Sequence, residues 1–265
     1  MKKLIFGLSL IIAITSVLIL TGCVRRDMSE KNGPFTTQSY DYTGFTGIDI
    51  GSSLKLEVTP ATSYSVTITA GKKQLDRIHV SQTGDILKIT MDGWFSGWWW
   101  GSDPKITITM PTLKQLYLSG ASEATARGFK SDDDLSVKVS GASELQMDLE
   151  AGYFTAEISG ASSVKGRLTC PNSDIDISGA SDIDLTGSGG DIKLHGSGAS
   201  TAALSYFAVN NADIEFTSAS NGSLDISGRM DVSLSGASSL NYYGNPTLGR
   251  TDVTGASDLN HKTRS

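Results

Sequence analysis

The chain has 265 residues, 29 of them glycine, with 19% charged residues and a formal net charge of -6 at neutral pH. That length admits one elongated domain or two compact ones. An acidic balance without a basic stripe excludes a general nucleic-acid binder, and modest, dispersed charge excludes a disordered polyelectrolyte.

The first element is a targeting segment. Lys2 and Lys3 precede an uncharged run from Leu4 to Leu20, which ends in Leu20-Thr21-Gly22-Cys23. A basic start, an apolar run and small residues before a cut form a secretory signal. The Leu-Thr-Gly-Cys ending resembles the lipobox of bacterial lipoproteins. That resemblance implies removal of residues 1–22, lipid on Cys23, and a membrane partner reached through that lipid in the cell envelope, expected at the outer membrane. The competing reading is an uncleaved membrane helix, for which the run falls a little short. Residues 23–34 are polar and read as a lipidated tether. Cys170 is then the one remaining thiol, so no internal disulfide can form. It precedes Pro171-Asn172, a turn signal that predicts a loop position.

Residues 35–265 read as one all-β domain. "GIDIGSSLKLEV" at 47–58 places Ile48 and Ile50 before a Gly-Ser-Ser corner and Leu54, Leu56 and Val58 after it. "YSVTITAG" and "ILKITMDG" are further strands ending in glycine, and "KITITM" follows Pro104. The aromatic start, Phe35, Tyr40, Tyr42 and Phe45, is expected to cap the first coil. Between the strands lies "GWFSGWWWGSDP" at 93–104, which holds Phe95 and all four tryptophans: Trp94, Trp98, Trp99 and Trp100. Three consecutive tryptophans cannot share one face of a strand, because neighbours alternate. The segment is therefore a loop, with its aromatics either binding a ligand or forming a lid over the solenoid edge.

From Ser119 onward a four-residue mark, Ser-Gly-Ala-Ser, recurs at Ser119, Ser140, Ser159, Ser178, Ser197 and Ser235, with altered copies at Thr217 and Thr254. Successive starts are 21, 19, 19, 19, 20, 18 and 19 residues apart. Apolar residues alternate with polar ones on both sides of each mark, as in Ile175, Ile177, Ile183 and Leu185, so each unit is strand, corner, strand. A unit this short cannot bury its own apolar face, and stacked copies can share one core. The prediction is a single-stranded parallel β-helix, a β-solenoid with coils of about 19 residues, taken as right-handed, each coil rising about 4.8 Å. In the corner, glycine supplies a conformation that a Cβ opposes, alanine is expected to point into the narrow interior, and the serines to bond exposed backbone or the next rung.

Stacking turns equivalent positions into ladders. Two residues before the marks stand Tyr117, Lys138, Glu157, Asp176, His195, Glu215, Ser233 and Asp252; four before stand Asp174, Lys193 and Asp213, with Arg250 at the far end. Carboxylates beside a histidine can serve acid–base chemistry or hold a hard cation such as calcium. The competing reading is a solvated face on which Lys193 and His195 relieve repulsion between Glu157, Asp174, Asp176, Asp213 and Glu215. No calcium-binding nonapeptide, zinc spacing, phosphate loop or Ser-His-Asp order is present in the sequence, so neither a metal nor another cofactor is expected.

The lipobox, "GFTGIDIGSSLKLEV", "YSVTITAG", "LDRIHVSQTGDILKITM" and the runs of "SGAS" together resemble the auto-transporter adhesin, head GIN domain family, over almost all of the chain beyond residue 22. The resemblance implies a secreted or lipid-anchored β-helical envelope protein, and it brings no catalytic residues. The expectation is a non-catalytic lipoprotein that presents a solenoid to a glycan or protein ligand. The alternatives are a polysaccharide-active enzyme using the acidic ladder, or an assembly component acting through its coil ends, which would also make a homo-oligomer.

Overall fold

The computed structural model describes residues 33–93 and 103–264. They form a two-faced parallel β-solenoid closed at one end by antiparallel strands. The first face is built from β2 (Gly47–Ile50), β6 (Ile86–Met91), β8 (Gln115–Leu118), β10 (Leu135–Val139), β12 (Tyr153–Ile158), β16 (Asn211–Phe216), β18 (Arg229–Leu234) and β20 (Thr247–Val253). The second face is built from β3 (Lys55–Pro60), β7 (Lys105–Met110), β9 (Glu123–Lys130), β11 (Glu144–Glu150), β15 (Thr201–Val209), β17 (Asn221–Ile226), β19 (Ser239–Tyr243) and β21 (Asp258–His261). Two long strands, β13 (Ser163–Ile177) and β14 (Asp182–Gly196), bend around the corner opposite the marks and serve both faces.

The stacking is in register. On the first face Val137 faces Leu116 on one side and Ala156 on the other, and Ala156 faces Ile175. Every second residue therefore enters one continuous apolar interior, in which Ile48, Leu116, Val137, Ala156, Ile175, Leu194, Ile214 and Val232 are fully buried. Glycines interrupt that pattern, and two of them make room for one ring. A Cβ on Gly196 would come within 2.8 Å of the Phe216 ring and one on Gly222 within 2.4 Å, so a large ring fills the volume that both leave. Cys170 belongs to β13, not to a loop: it is buried, and burial pushes its thiol up to about 11. The Pro171-Asn172 pair bends the strand without ending it.

The corner departs from expectation in one respect. Ala121, Ala142, Ala161, Ala180 and Ala199 all point outward, and the last serine of each mark occupies the interior. Ser122, Ser143, Ser162, Ser181, Ser200, Ser220 and Ser238 are at most 2% exposed. A hydroxyl there can satisfy the backbone that the tight bend strands, which a methyl cannot. Ser143 Oγ donates to Ser140 O at 2.8 Å and accepts from Ser122 N at 3.1 Å. Between rungs, Ala161 N bonds Gly141 O at 2.9 Å, and Ala180, Ala199 and Ala256 repeat the bond to the glycine one rung before. Gly141, Gly160, Gly179 and Gly198 all have φ between +74° and +80°.

At the N-terminal end the coils are not laid in chain order. β2 pairs with both β6 and β8, and β3 with both β7 and β9, so the first coil made lies between the second and the third. The intervening chain forms the cap: β1 (Phe35–Tyr40) lies antiparallel on β4 (Ser65–Gly71), which lies antiparallel on β7, and β5 (Ile78–Thr83) folds antiparallel on β6 after one helical turn, α1 (Lys72–Leu75). Phe45 is fully buried, Tyr40 and Tyr42 pack on the core, and Tyr42 donates to Val80 O at 2.9 Å. Phe35, expected in the same cap, is 46% exposed.

One corner tests this account. Ala142→Gln should leave stability within about 0.5 kcal/mol, since the side chain faces solvent. Ser143→Ala should cost about 1–3 kcal/mol, because it leaves the buried Ser122 N–H without an acceptor. Gly141→Val should cost at least about 2 kcal/mol, through the positive φ and through a Cβ 2.9 Å from Gly120 N. Chemical denaturation of the three variants gives the order, and a loss at Ala142 matching that at Ser143 would contradict the placement.

Candidate functional site

The parallel ladder of the first face brings together the side chains that the spacing predicts. Lys138 pairs Glu157, Glu157 pairs Asp176, Asp176 pairs His195, and His195 pairs Glu215. Beside them Asp174 pairs Lys193 and Lys193 pairs Asp213. The row is partly self-neutralised. Lys138 Nζ lies 2.8 Å from Glu157 Oε1, and this hydrogen bond raises the lysine pKa. His195 Nδ1 lies 3.0 Å from Asp176 Oδ1, and Asp213 is reached by Arg250 at 3.4 Å from two rungs away.

The tightest convergence is Asp174, Asp176 and His195, whose donor atoms all lie within 4.8 Å of one another. Two carboxylates and an imidazole are the residue types that would take a divalent cation or share a proton. All three project from an open sheet, with Asp176 and His195 about half exposed at 59% and 47%. A cation there would have to displace the bond between Asp176 and His195. Glu215 stands one rung beyond, next to His195, and Glu157 one rung before, held by Lys138.

Six residues before the marks runs a third row that the sequence reading did not pursue, although the same arithmetic reaches it. It comprises Tyr153, Asn172, Asp191, Asn211 and Arg229. With Lys193, Asp213 and Asp231 it lines a shallow depression of about 340 Å³. Arg229 grips Asp231 through Nε and Nη2 at 2.7 and 2.8 Å, and with the backbone N–H of Arg250 it lowers that carboxyl from 3.8 to about 2. Arg250 is not in simple register with Asp231: the pairing of β18 and β20 shifts between Met230 and Val232.

The second face carries a larger depression, about 480 Å³, lined by Arg127, Asp148, Lys165, Arg167 and Asp184 where Gly166 bends the strand at φ +139°. Arg167 is bidentate to Asp148, at 2.8 and 3.2 Å, and lowers its pKa. No spacing argument singled out this site, since it arises from a glycine in an inward-facing row.

Trp94, Trp98, Trp99 and Trp100 lie outside the described residues, but the roots of their loop do not. Ile50 pairs Ile89 and Lys55 pairs Lys105. Where β2 and β3 are joined by Gly51 to Leu54, β6 and β7 are joined by residues 92 to 104. The strand ends that the tryptophan segment joins, β6 past Ile89 and β7 at Lys105, lie on the side of the solenoid where β2 turns into β3.

This architecture has relatives. Residues 44–246 match the family model "Putative auto-transporter adhesin, head GIN domain". The chain belongs to this family. Among solved structures it is similar to a "putative adhesin" of Parabacteroides merdae, with TM-score 0.79, 15% identity, and coverage of 87% of this chain and 97% of that one. It is equally similar to a "putative lipid binding protein" of Parabacteroides distasonis, with TM-score 0.78, 15% identity and coverage of 87% and 98%. A "putative adhesin" of Bacteroides fragilis aligns with TM-score 0.67, 18% identity and coverage of 87% and 98%. At these identities the likeness establishes the fold. No curated protein matches the chain. Among the described residues of this family member, no helix is long and apolar enough to cross a membrane.

The depressed carboxyl of Asp231 gives a pH test. A group whose pKa is lower folded than unfolded stabilises the fold above its unfolded value and loses that contribution as pH falls through the folded one. The loss from Asp231 therefore falls between pH 3.8 and about 2. Asp231→Asn should flatten the decline of the unfolding midpoint in that window, and an unchanged slope would show that the Arg229 contact is of no consequence.

Proposed function

We propose that this protein is a lipid-anchored, non-catalytic adhesin-like lipoprotein of the cell envelope, whose rod presents the tryptophan-bearing corner to a glycan or a protein partner. What supports the reading is the length and composition of the segment between β6 and β7. Between β6 and β7 the sequence runs through residues 92 to 104, where Gly51 to Leu54 suffice between β2 and β3, and it sets all four tryptophans among glycines and serines. Aromatic side chains supply contact area at low conformational cost, and small neighbours let a partner approach.

The carboxylate ladder supports the same reading. Its members project from an open face and are engaged with Lys138, His195 and Arg250. A glycoside-cleaving pair has to grip a sugar ring and exclude water, which calls for a concave site. Asp174, Asp176 and His195 remain the residues on which a second, polysaccharide-active reading would rest. Anchoring is proposed through Cys23, with residues 1–22 removed, residues 23–34 as tether and the outer membrane as destination.

Two measurements test these assignments. Cys23→Ala should abolish lipid labelling and release the protein from the membrane fraction or stall its processing; retained labelling would overturn the anchor. Trp98→Ala combined with Trp99→Ala should weaken binding to cells or to a glycan array at least tenfold while the unfolding midpoint stays nearly unchanged. A midpoint lowered by the equivalent of about 3–5 kcal/mol, with binding per folded molecule intact, would instead make the loop a packing lid.

A further inference from the structure

The two ends of the rod differ. At the N-terminal end, β1, β4 and β5 run antiparallel to the coils and cover a core in which Phe45, Ile68 and Ala70 are fully buried. At the C-terminal end, among the described residues, β20 pairs only with β18 and β21 only with β19. Leu248 is 49% exposed and Val253 39%, whereas their counterparts one rung earlier, Met230 and Leu234, are at most 1% exposed. Among the described residues, those after β21 do not fold over this surface. Arg264 turns back along the rod, 3.1 Å from Asp225 and over the rings of Tyr206 and Tyr243. Two strand edges and the end of the apolar interior are left open together.

We infer that this end is a homodimer interface, on which a second copy of the chain stacks tail to tail about a twofold axis. An open end needs a partner that offers two strand edges at the spacing of the two faces and an apolar interior between them, and a second copy offers both. The twofold reverses strand direction, so β20 and β21 continue into their counterparts as antiparallel ladders. Charge selects the register. Thr251 lies three residues before the Thr254 corner and Asn260 three after Ser257, so the two positions stand at equal distance from the corner on the two faces. An axis through both sets Arg250 opposite Asp252 of the second copy, and Asp258 opposite Lys262, so that every charged pair in the ring is of opposite sign. Moving the axis by one residue sets Arg250 against Arg250 or Asp252 against Asp252, and like charges directly opposed are destabilising. This interface is independent of any ligand of the tryptophan corner.

The test uses the full chain purified in detergent. Sedimentation velocity should show a concentration-dependent dimer. Arg250→Asp sets like charges opposite each other twice, and should raise the dissociation constant at least about tenfold. Arg250→Asp combined with Asp252→Arg restores opposite charges only in the antiparallel self-paired register, and should return the constant to within about twofold of the starting protein. Asn260→Cys should form disulfide-linked dimers under mild oxidation, and Asn241→Cys, one rung inside, should not. Unfolding midpoints establish that each variant is folded. A monomer at every concentration, a dimer insensitive to Arg250→Asp, failure of the exchanged pair to restore association, or equal cross-linking at both cysteines would overturn the inference, as would capping of this end by a different protein.

Discussion

The whole molecule depends on one bond repeated from coil to coil: the amide of the mark's alanine donating to the carbonyl of the glycine one rung before. For that bond to form, the glycines must share one left-handed conformation and lie directly above one another. A Cβ on Gly160, Gly179 or Gly198 would come within about 2.5–2.6 Å of the preceding carbonyl oxygen. This favours glycine, although Ser218 adopts the same left-handed conformation at φ +65° in one corner and its carbonyl accepts from Ala237 N. The buried serine beside the glycine follows from the same constraint. The bend turns backbone groups inward, and a small hydroxyl bonds them without needing the volume of a larger polar side chain. Where the constraint relaxes, so does the sequence: the β2–β3 coil at the N-terminal end turns with Gly51-Ser52-Ser53 and buries Leu54 in place of serine.

Exact stacking also determines the surface. Each outward side chain has its equivalent one strand spacing above and below, so charge on this protein is organised along the rod axis rather than across it. Lys138 with Glu157, Asp176 with His195, and Asp148 with Arg167 are all neighbours on successive rungs. Individually such exposed pairs are worth little. Collectively they offset the like-charge neighbours that the ladders also contain, Glu157 beside Asp176 and Asp213 beside Asp231.

The spacing of the marks was enough to read the ladders, because residues counted back from each mark keep their register even where a coil is a residue longer; Glu157, Asp176, His195 and Glu215 are adjacent as counted. The same arithmetic, carried two residues further, would have reached Asn172, Asp191 and Arg229. Other features had no periodic signal. Coil order at the N-terminus is set by long-range pairing of β2 with β6 and β8, which no local pattern encodes. The direction of alanine and serine in the corner depends on which backbone groups are left unpaired, and the residues are too alike in size for volume to decide. Cys170 was masked by Pro171-Asn172, a turn signal that a β-solenoid can absorb as a bend within a strand.

A periodic rod offers the same surface at each rung, so recognition of one particular place requires a break in the period. Three breaks are visible. The segment between β6 and β7 holds the tryptophans in sequence, the bent strand at Gly166 opens a charged depression, and among the described residues no coil stacks on β20 and β21. The depression at Gly166 lies along a side, where a ligand can approach without competing with the backbone ladder. The third lies on the axis, where the ladder itself is the attractive surface. The bulge between Met230 and Val232 falls in this last pairing, adding a residue to the strand and bringing Arg250 onto the acidic face within reach of Asp213 and Asp231. Here the departure from the repeat alters backbone and charge together, which is how a solenoid built from one sentence of sequence acquires a distinct end.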